Sequence, residues 1–186
     1  MTVTDVNVVK SAIFERPDDA NKGTLGSLLC VCGSYGMAGA AVMSAKGALR
    51  TGIGLAKCAL PRSIYPIVAQ TILESVYYPL SENADGRISK VNVPFLVSES
   101  CKSSATLVGC GLGVCDDTLK IVFSLIENSA TPLVLDADAL NCVAKQPEIL
   151  LRKKAPIIIT PHPGEMSRLT GLATPLVNAE RERVAL

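Results

Sequence analysis

The sequence Ile157-Ile158-Ile159-Thr160-Pro161-His162-Pro163-Gly164-Glu165 has the form of a buried strand that runs through a turn into a helix. Consecutive β-branched apolar residues are typical of a strand covered on both faces. Pro161 has no N–H to donate to a sheet, and Pro163 suits the first turn of a helix, where that N–H would stay unpaired. The stretch therefore predicts an α/β sheet with this turn at the carboxyl end of one strand.

His162 is the only histidine in the chain, and a proline lies on either side of it. Both prolines restrict their own φ angles, so the turn has little freedom. Open α/β sheets bind their ligands at the carboxyl edge of the strands, where this turn is expected. A proline-rich turn that binds nothing explains the same pattern, so the stretch alone leaves both interpretations open.

The length and composition are those of one folded domain with a substantial core. The chain has 186 residues, of which 48% are hydrophobic, and this excludes a disordered chain. Its apolar runs are too short to cross a bilayer, so no membrane association is expected. With a net charge of +1, 4% aromatic residues and no tryptophan, nucleic acid is not an expected partner.

The cysteines and the N-terminal sequence indicate a cytoplasmic protein. The chain has seven cysteines, an odd number, and a single histidine, so a zinc site is not expected. Cys30 and Cys32 fall on the same face of one predicted strand, as small buried side chains in a reducing compartment would. No charged segment followed by an apolar one opens the chain, so no signal peptide is predicted.

A first glycine-rich turn, residues 33–40, joins the predicted strand Leu28–Cys32 to a helix of small residues from about 39 to 51. Backbone N–H groups in such a turn can bind an anion. The turn lacks the Lys-Ser/Thr pair of a Walker A loop, however, and glycines that only allow close packing explain it as well.

A second glycine-rich turn, residues 109–113, follows a predicted strand at 105–108. The next helix begins near Asp116 or Asp117, and its apolar positions recur at the spacing of one helix face. A strand at 133–135 then ends in acidic residues. A glycine turn, a helix and an acidic residue after the next strand are also features of the Rossmann fingerprint. Because position 114 is valine and the G-x-G-x-x-G pattern is incomplete, dinucleotide binding by that mechanism is not predicted.

Strands and helices alternate along the chain, which predicts a parallel sheet covered on both faces. Further segments are a strand at 55–60, a helix at 64–73 and a strand at 76–78, whereas residues 81–104 show no clear element. Three strands end in glycine, acidic or polar residues. Because the carboxyl ends of parallel strands share one edge, these three ends predict a single site there.

Six motifs in a fixed order carry a resemblance to one family. Together they resemble the ADP- or ATP-dependent NAD(P)H-hydrate dehydratases, the carbohydrate-kinase-like domain of the YjeF family. The resemblance extends over almost the whole chain from residue 21. The motifs are Asn-Lys-Gly-x-x-Gly at 21–26, Gly-Ser-x-x-Met-x-Gly-Ala-Ala at 33–41, Ala-x-Arg-x-Gly-x-Gly at 48–54, Gly-x-Gly-Leu at 109–112, Leu-Asp-Ala-Asp-Ala-Leu-Asn at 135–141 and Thr-Pro-His-Pro-Gly-Glu at 160–165.

The resemblance implies a ribokinase-like fold, with three α/β/α layers and a mostly parallel central sheet. It also implies a repair reaction on NAD(P)HX, the hydrated form of NADH or NADPH. In that reaction ADP or ATP, with Mg²⁺, phosphorylates the hydroxyl of the hydrated ring, and loss of phosphate restores the cofactor. The chemistry is sound because hydroxide is a poor leaving group and phosphate a good one.

The same resemblance implies that Gly39, Ala40, Gly111 and His162 line the substrate pocket. His162 would hydrogen-bond the hydrated ring, a ribose or a phosphate oxygen. Gly39 and Gly111 would allow a close approach of the backbone to the ligand.

The acidic segment after residue 135 is open to two interpretations. Asp138 and Asn141, with Asp136, face the pocket and order water, Mg²⁺ or ribose. Alternatively, Asp138 caps the following helix and Asn141 bonds local backbone. Glu165 is expected to complete a capping arrangement at the start of its helix.

The chain departs from the family in lacking a later Gly-x-Gly-Asp turn and a Lys-Gly strand. We therefore expect residues 1–20 to be an N-terminal arm and residues 21–186 to be a partial ribokinase-like domain, incomplete at its C-terminus. A helix that starts near Pro175 runs to Leu186 without a cap. The catalytic aspartate is expected beyond Leu186, and this chain alone is expected to be inactive. Cys110 stands where the family commonly has proline.

Two other functions stay open at this point. One is a kinase of small alcohols from the ribokinase superfamily, which shares the fold and the phosphoryl chemistry. The other is a module that binds nucleotides without turning them over. In every case we expect small-molecule nucleotide ligands and a homo-oligomer.

Overall fold

The computed structural model describes residues 17–186 of the chain. Its centre is a six-stranded sheet in which every neighbouring pair is parallel, in the order β3-β2-β1-β4-β5-β6. The predicted strands are all present, with ends that differ by at most two residues. The strands are β1 Ser27–Val31, β2 Leu55–Pro61, β3 Val76–Leu80, β4 Ala105–Val108, β5 Leu133–Leu135 and β6 Ile157–Ile159.

Helices connect the strands, as parallel pairing requires. Short 3₁₀ segments at Arg62–Ile64, Lys90–Asn92 and Pro147–Arg152 complete the connections. The α-helices are α1 Ala38–Arg50, α2 Tyr65–Thr71, α3 Val93–Cys101, α4 Asp116–Asn128, α5 Asp138–Val143, α6 Pro163–Thr170, α7 Thr174–Ala179 and α8 Arg181–Ala185.

Alternate side chains of β1 enter two separate cores. Leu29 and Val31 pack with α3, α4 and α5 on one face of the sheet. Cys30 and Cys32 pack with α1 and α2 on the other face. Because both faces are covered, β1 is apolar at almost every position. The predicted three-layer α/β/α fold and the shared face of the two cysteines are confirmed.

The edge strand β6 differs from the prediction. Ile158 is 59% exposed and Ile159 is 36% exposed, so the predicted burial of this strand on both faces is wrong. The reason is its place in the sheet: among the strands of residues 17–186, β6 pairs only with β5 and lies at one end of the strand order. Apolar composition predicted a covered strand, but strand order decides which strand is covered.

Two helical segments also differ from the sequence-based interpretation. The sequence of residues 81–104 shows no clear element, yet α3 forms there and its Leu96 is buried in the core. The C-terminal helix predicted from near Pro175 is two helices, because the backbone leaves helical geometry at Glu180, with φ −128° and ψ 42°. The predicted arm at residues 1–20 lies mostly outside the described residues and stays a prediction. In the part that the structure describes, no helix has the length and hydropathy needed to cross a membrane.

Glu99 is a buried carboxylate held by two cations and a phenol. It accepts hydrogen bonds from Lys102 Nζ at 2.9 Å and from the Tyr78 hydroxyl at 3.1 Å, and Lys57 Nζ lies 3.7 Å away. The hydrogen bond from Lys102 lowers the pKa of Glu99 below 4.5, and Tyr78 and Lys57 add to this against the opposing effect of burial.

This carboxylate is expected to make the fold sensitive to acid. A carboxyl whose pKa is lower in the folded state stabilises that state above the unfolded pKa of 4.5, and the contribution is lost as the pH falls through the folded value. We therefore expect Glu99→Gln to flatten the fall in the free energy of unfolding below pH 4.5. Urea unfolding at several pH values measures this. Glu127→Gln, which removes an exposed ion pair with Arg152, is the matched control and should change the curve little; equal slopes for Glu99→Gln and the parent would contradict the assignment.

Candidate functional site

The two glycine-rich turns meet at the carboxyl edge of the sheet. The backbone N–H of Gly33 donates to the carbonyl of Cys110 at 2.8 Å. The hydroxyl of Ser34, which is buried, donates to the carbonyl of Gly111 at 2.8 Å. Because β1 and β4 are neighbours in the sheet, the turns that follow them form one continuous surface.

Gly111 and Ala40, two of the predicted substrate residues, lie against each other. Gly111 has φ +69°, and a Cβ added there would lie 2.7 Å from the Cβ of Ala40 and 3.2 Å from that of Met37. A side chain at position 111 would push the start of α1 away from the turn. Glycine is therefore needed here for the turn and for close packing of this helix.

Gly39, another predicted substrate residue, lies in more open surroundings than Gly111. It is the second residue of α1, it is exposed, and no atom of the described residues lies within 4 Å of an added Cβ. The fold itself therefore does not require glycine at this position. The close approach of a ligand to the backbone at Gly39 stays a prediction.

Asp138 joins the second glycine turn to α5. Its Oδ2 accepts a hydrogen bond from the backbone N–H of Gly113 at 2.8 Å, and its Oδ1 accepts one from Asn141 Nδ2 at 3.3 Å. The capping interpretation of Asp138 is wrong, since Ala137 is the N-cap residue of α5 and its side chain can form no cap bond. Ala137 has φ +49°, which side chains rarely adopt, and this backbone turn aims Asp138 at the glycine turn.

Asn141 bonds other side chains instead of local backbone, so that interpretation is also wrong. Its Nδ2 donates to Asp138, and its Oδ1 accepts a hydrogen bond from Arg168 Nε at 3.0 Å. Arg168 also donates from Nη1 to the carbonyl of Gly164 at 3.2 Å. Sequence reasoning missed Arg168, because only the fold brings the last turn of α6 beside α5.

Asp136 connects three strand ends. Its Oδ1 accepts a hydrogen bond from the Thr160 hydroxyl at 2.8 Å, after β6, and its Oδ2 accepts one from Cys110 Sγ at 3.4 Å, after β4. Asp136 itself follows β5. The prediction that these three strand ends gather at one edge is confirmed.

His162 is the N-cap residue of α6. Its Nδ1 accepts from the backbone N–H groups of Gly164 at 3.0 Å and Glu165 at 3.4 Å. Glu165 in turn accepts from the backbone N–H of His162 at 2.9 Å, and its other oxygen lies 3.2 Å from Nε2. The predicted capping role of Glu165 is confirmed. Histidine is not among the usual capping residues, which is why the sequence did not assign it that role.

The imidazole of His162 is open to solvent. Its side chain is 61% exposed, whereas that of Glu165 is 6% exposed. Because Nδ1 accepts two backbone hydrogen bonds, the proton of a neutral ring is on Nε2, which points towards Glu165. The ring is thus fixed in orientation and still has a face that a ligand can reach.

In residues 17–186, no three side chains of histidine, cysteine, aspartate or glutamate gather as ligands for a metal ion. Asp136 and Asp138 instead make separate contacts, one with β6 and one with the glycine turn.

Known proteins resemble this chain in sequence over most of its length. A family model described as NAD(P)H-hydrate dehydratase matches residues 28–185. A bifunctional NAD(P)H-hydrate repair enzyme of Thermofilum pendens is 37% identical over 171 residues, which are 92% of this chain and 33% of that protein. An ADP-dependent (S)-NAD(P)H-hydrate dehydratase of Neisseria meningitidis is 32% identical over 169 residues, which are 89% of this chain and 53% of that protein.

A solved structure has the same architecture. The ADP/ATP-dependent NAD(P)H-hydrate dehydratase of Bacillus subtilis, co-crystallised with ATP/Mg²⁺, matches with a TM-score of 0.75 at 27% identity. The match covers 96% of this chain and 59% of that one. Across these three relatives, the chain spans between 33% and 59% of their length. From the matched range and the shared sequence motifs, this chain belongs to the NAD(P)H-hydrate dehydratase family.

Proposed function

We propose that this chain forms the substrate-binding side of an enzyme that dehydrates NAD(P)HX to NAD(P)H at the expense of ADP or ATP. The observation that carries the proposal is the convergence of four strand ends on one sheet edge, with Gly111, Ala40 and His162 along it. The names of the relatives supply the reaction.

The chemistry asks for a protein that orients a hydroxyl and then releases phosphate. Phosphorylation of the ring hydroxyl turns a poor leaving group into a good one, and its elimination restores the reduced nicotinamide. In this chain, backbone at Gly39 and Gly111 approaches the ligand, and the Ala40 methyl group packs against it. His162 hydrogen-bonds a polar atom of the substrate, and its ring is held ready by Gly164 and Glu165.

The acidic residues at this edge have a supporting role in the proposal. Asp138 and Asn141 order the glycine turn and α6 around the substrate through Gly113 and Arg168. Because the described residues do not form a metal site of their own, a Mg²⁺ ion that accompanies the nucleotide would be held mainly by phosphate oxygens.

Assay of the intact protein with hydrated NADPH and either ADP or ATP tests this function. We expect recovery of the near-ultraviolet absorbance of reduced nicotinamide, together with release of phosphate. A phosphorylated small alcohol as the only product would instead identify a kinase. Nucleotide binding without any turnover, measured by calorimetry, would identify a non-catalytic module.

The substitution Gly39→Ala separates binding from folding. Since an added Cβ meets nothing within 4 Å, we expect the free energy of unfolding to stay within about 1 kcal/mol of the parent, or to rise slightly. If the hydrated cofactor binds against the backbone at Gly39, the same change should weaken binding of NADPHX at least several-fold. Gly47→Ala, on the same helix and equally open, is the matched control and should leave affinity unchanged. Unchanged affinity in both variants would remove Gly39 from the site.

We propose further that the protein works in the cytoplasm as a homo-oligomer. The described cysteines are all free thiols, which suits a reducing compartment. Exposed apolar side chains, Ile158 on β6 and Leu151 at 86% exposure, support self-association. Light scattering coupled to size exclusion measures the molar mass; a strictly monomeric protein across micromolar concentrations would contradict the oligomer.

A further inference from the structure

Two thiols from neighbouring strands meet at the carboxyl edge of the sheet. Cys32 directly follows β1 and Cys110 follows β4 after one glycine, and these strands are paired in parallel. The hydrogen bond from Gly33 N–H to the Cys110 carbonyl holds the two backbones side by side. Both side chains belong to the core that contains α1 and α2, and each thiol shifts the pKa of the other, that of Cys32 upwards and that of Cys110 downwards.

This arrangement is compatible with a disulfide. The register pairs Val31 with Val108, so Cys32 lies opposite Gly109 and Cys110 is one residue further along. Strands about 4.8 Å apart, with a rise of about 3.3 Å per residue, place the Cα atoms of such a diagonal pair about 6 Å apart, within the range of about 4.4–6.8 Å for a disulfide. Both segments run in the same direction, and both side chains are on the face that packs against α1. Closing the bond would therefore need a rotation of the side chains rather than a movement of the strands.

Solvent access distinguishes this pair from a second pair in the same core. Cys30 and Cys58 are register partners on β1 and β2, but they are only 2% and 1% exposed. Burial raises the pKa of both thiols, so neither is readily ionised. Cys110 is half-buried, and the neighbouring thiol of Cys32 lowers its pKa. An oxidant therefore reaches Cys110 first.

We propose that Cys32 and Cys110 are a reversible thiol–disulfide pair that closes when the protein meets a peroxide. The Cys110 thiolate attacks the O–O bond and becomes a sulfenic acid, with release of one water. The Cys32 sulfur then attacks the sulfenic sulfur, the S–S bond forms and a second water leaves. Two thiols lose two electrons and two protons, and hydrogen peroxide is reduced to two water molecules.

Closure changes the candidate site without needing a ligand. When its sulfur turns towards Cys32, Cys110 gives up the 3.4 Å hydrogen bond to Asp136. Asp136 joins the ends of β4, β5 and β6 through its hydrogen bonds with Cys110 and Thr160. After closure, only the bond with Thr160 remains. The turn at 109–113, which carries Gly111, thereby loses one of its links to the segment after β5 and keeps the bond from Gly113 to Asp138. Formation of this disulfide does not depend on the dehydration reaction proposed above.

The test uses the 186-residue chain with Cys101→Ser and Cys115→Ser, which removes an exposed and a partly exposed thiol. The protein is treated with equimolar hydrogen peroxide, and its free thiols are then alkylated. We expect the oxidised protein to be about 2 Da lighter than the reduced one before alkylation, and dithiothreitol to reverse this change. Non-reducing digestion should give a linked peptide containing Cys32 and Cys110 as the main product. Thermal unfolding before oxidation checks that each variant is folded.

Two variants make the outcome decisive. Cys32→Ala should abolish the link and leave a sulfenic acid on Cys110 that dimedone traps, formed more slowly than in the parent because the group that lowers the pKa of Cys110 is gone. Cys30→Ala, the matched change in the same core, should leave the link intact. A peptide linking Cys30 to Cys58, or full alkylation of Cys110 after peroxide treatment of a folded sample, would overturn the proposal.

Discussion

The variant Gly109→Ala is expected to lose about 3–5 kcal/mol of the free energy of unfolding. Gly109 has φ +130°, and an added Cβ would lie 1.8 Å from the carbonyl oxygen of Asp136 and 2.8 Å from the Cβ of Ala139. The first of these atoms is backbone, so no side-chain rotation can relieve the clash. To accept the methyl group, the chain would have to separate β4 from the start of α5.

Gly36→Ala is the matched control for this change. Gly36 has φ +81°, but nothing lies within 4 Å of an added Cβ. Its substitution should therefore lower the free energy of unfolding only by the cost of a left-handed backbone at alanine, about 1–2 kcal/mol. Urea unfolding, monitored by circular dichroism, gives both free energies. For a variant that does not fold, the soluble fraction after expression is measured instead. Equal losses in the two variants would show that the Gly109 turn relaxes and that packing there is not tight.

The sequence predicted the sheet well because its signals are local. Strand β1 is covered on both faces, so its composition alone marks it as a strand. The two glycine turns were placed correctly because a strand, glycines and a small or amphipathic helix follow one another directly. Six motifs in order then identified the family, and the solved relative has the same architecture.

The parts that the sequence missed depend on contacts between distant segments. Burial of Ile158 depends on which strand lies at the end of the sheet, and no residue within β6 encodes that. The bond from Gly113 to Asp138 depends on the unusual backbone of Ala137, where a helix cap was the simpler local interpretation. Arg168 reaches Asn141 only after α5 and α6 are packed together.

Replacement of His162 has two expected effects, which arise from different bonds. As N-cap of α6, its Nδ1 satisfies two backbone N–H groups, so His162→Ala should lower the free energy of unfolding by about 0.5–2 kcal/mol. If the exposed ring also hydrogen-bonds the hydrated cofactor, the same change should cost about 1–3 kcal/mol of binding, a loss of affinity of roughly 5- to 150-fold. A side chain that is 61% exposed is not a core histidine, so general unfolding is not expected.

His162→Ser separates these two effects. Serine is a preferred N-cap residue and can accept from the same N–H groups, so it should restore most of the stability that alanine loses. Its hydroxyl is too short to replace the imidazole towards a ligand, so affinity for NADPHX should stay low. Chemical unfolding and calorimetric titration of the parent and the two variants give both quantities. If serine restores binding together with stability, His162 only holds the start of α6, and the contact with substrate must come from the glycine turns.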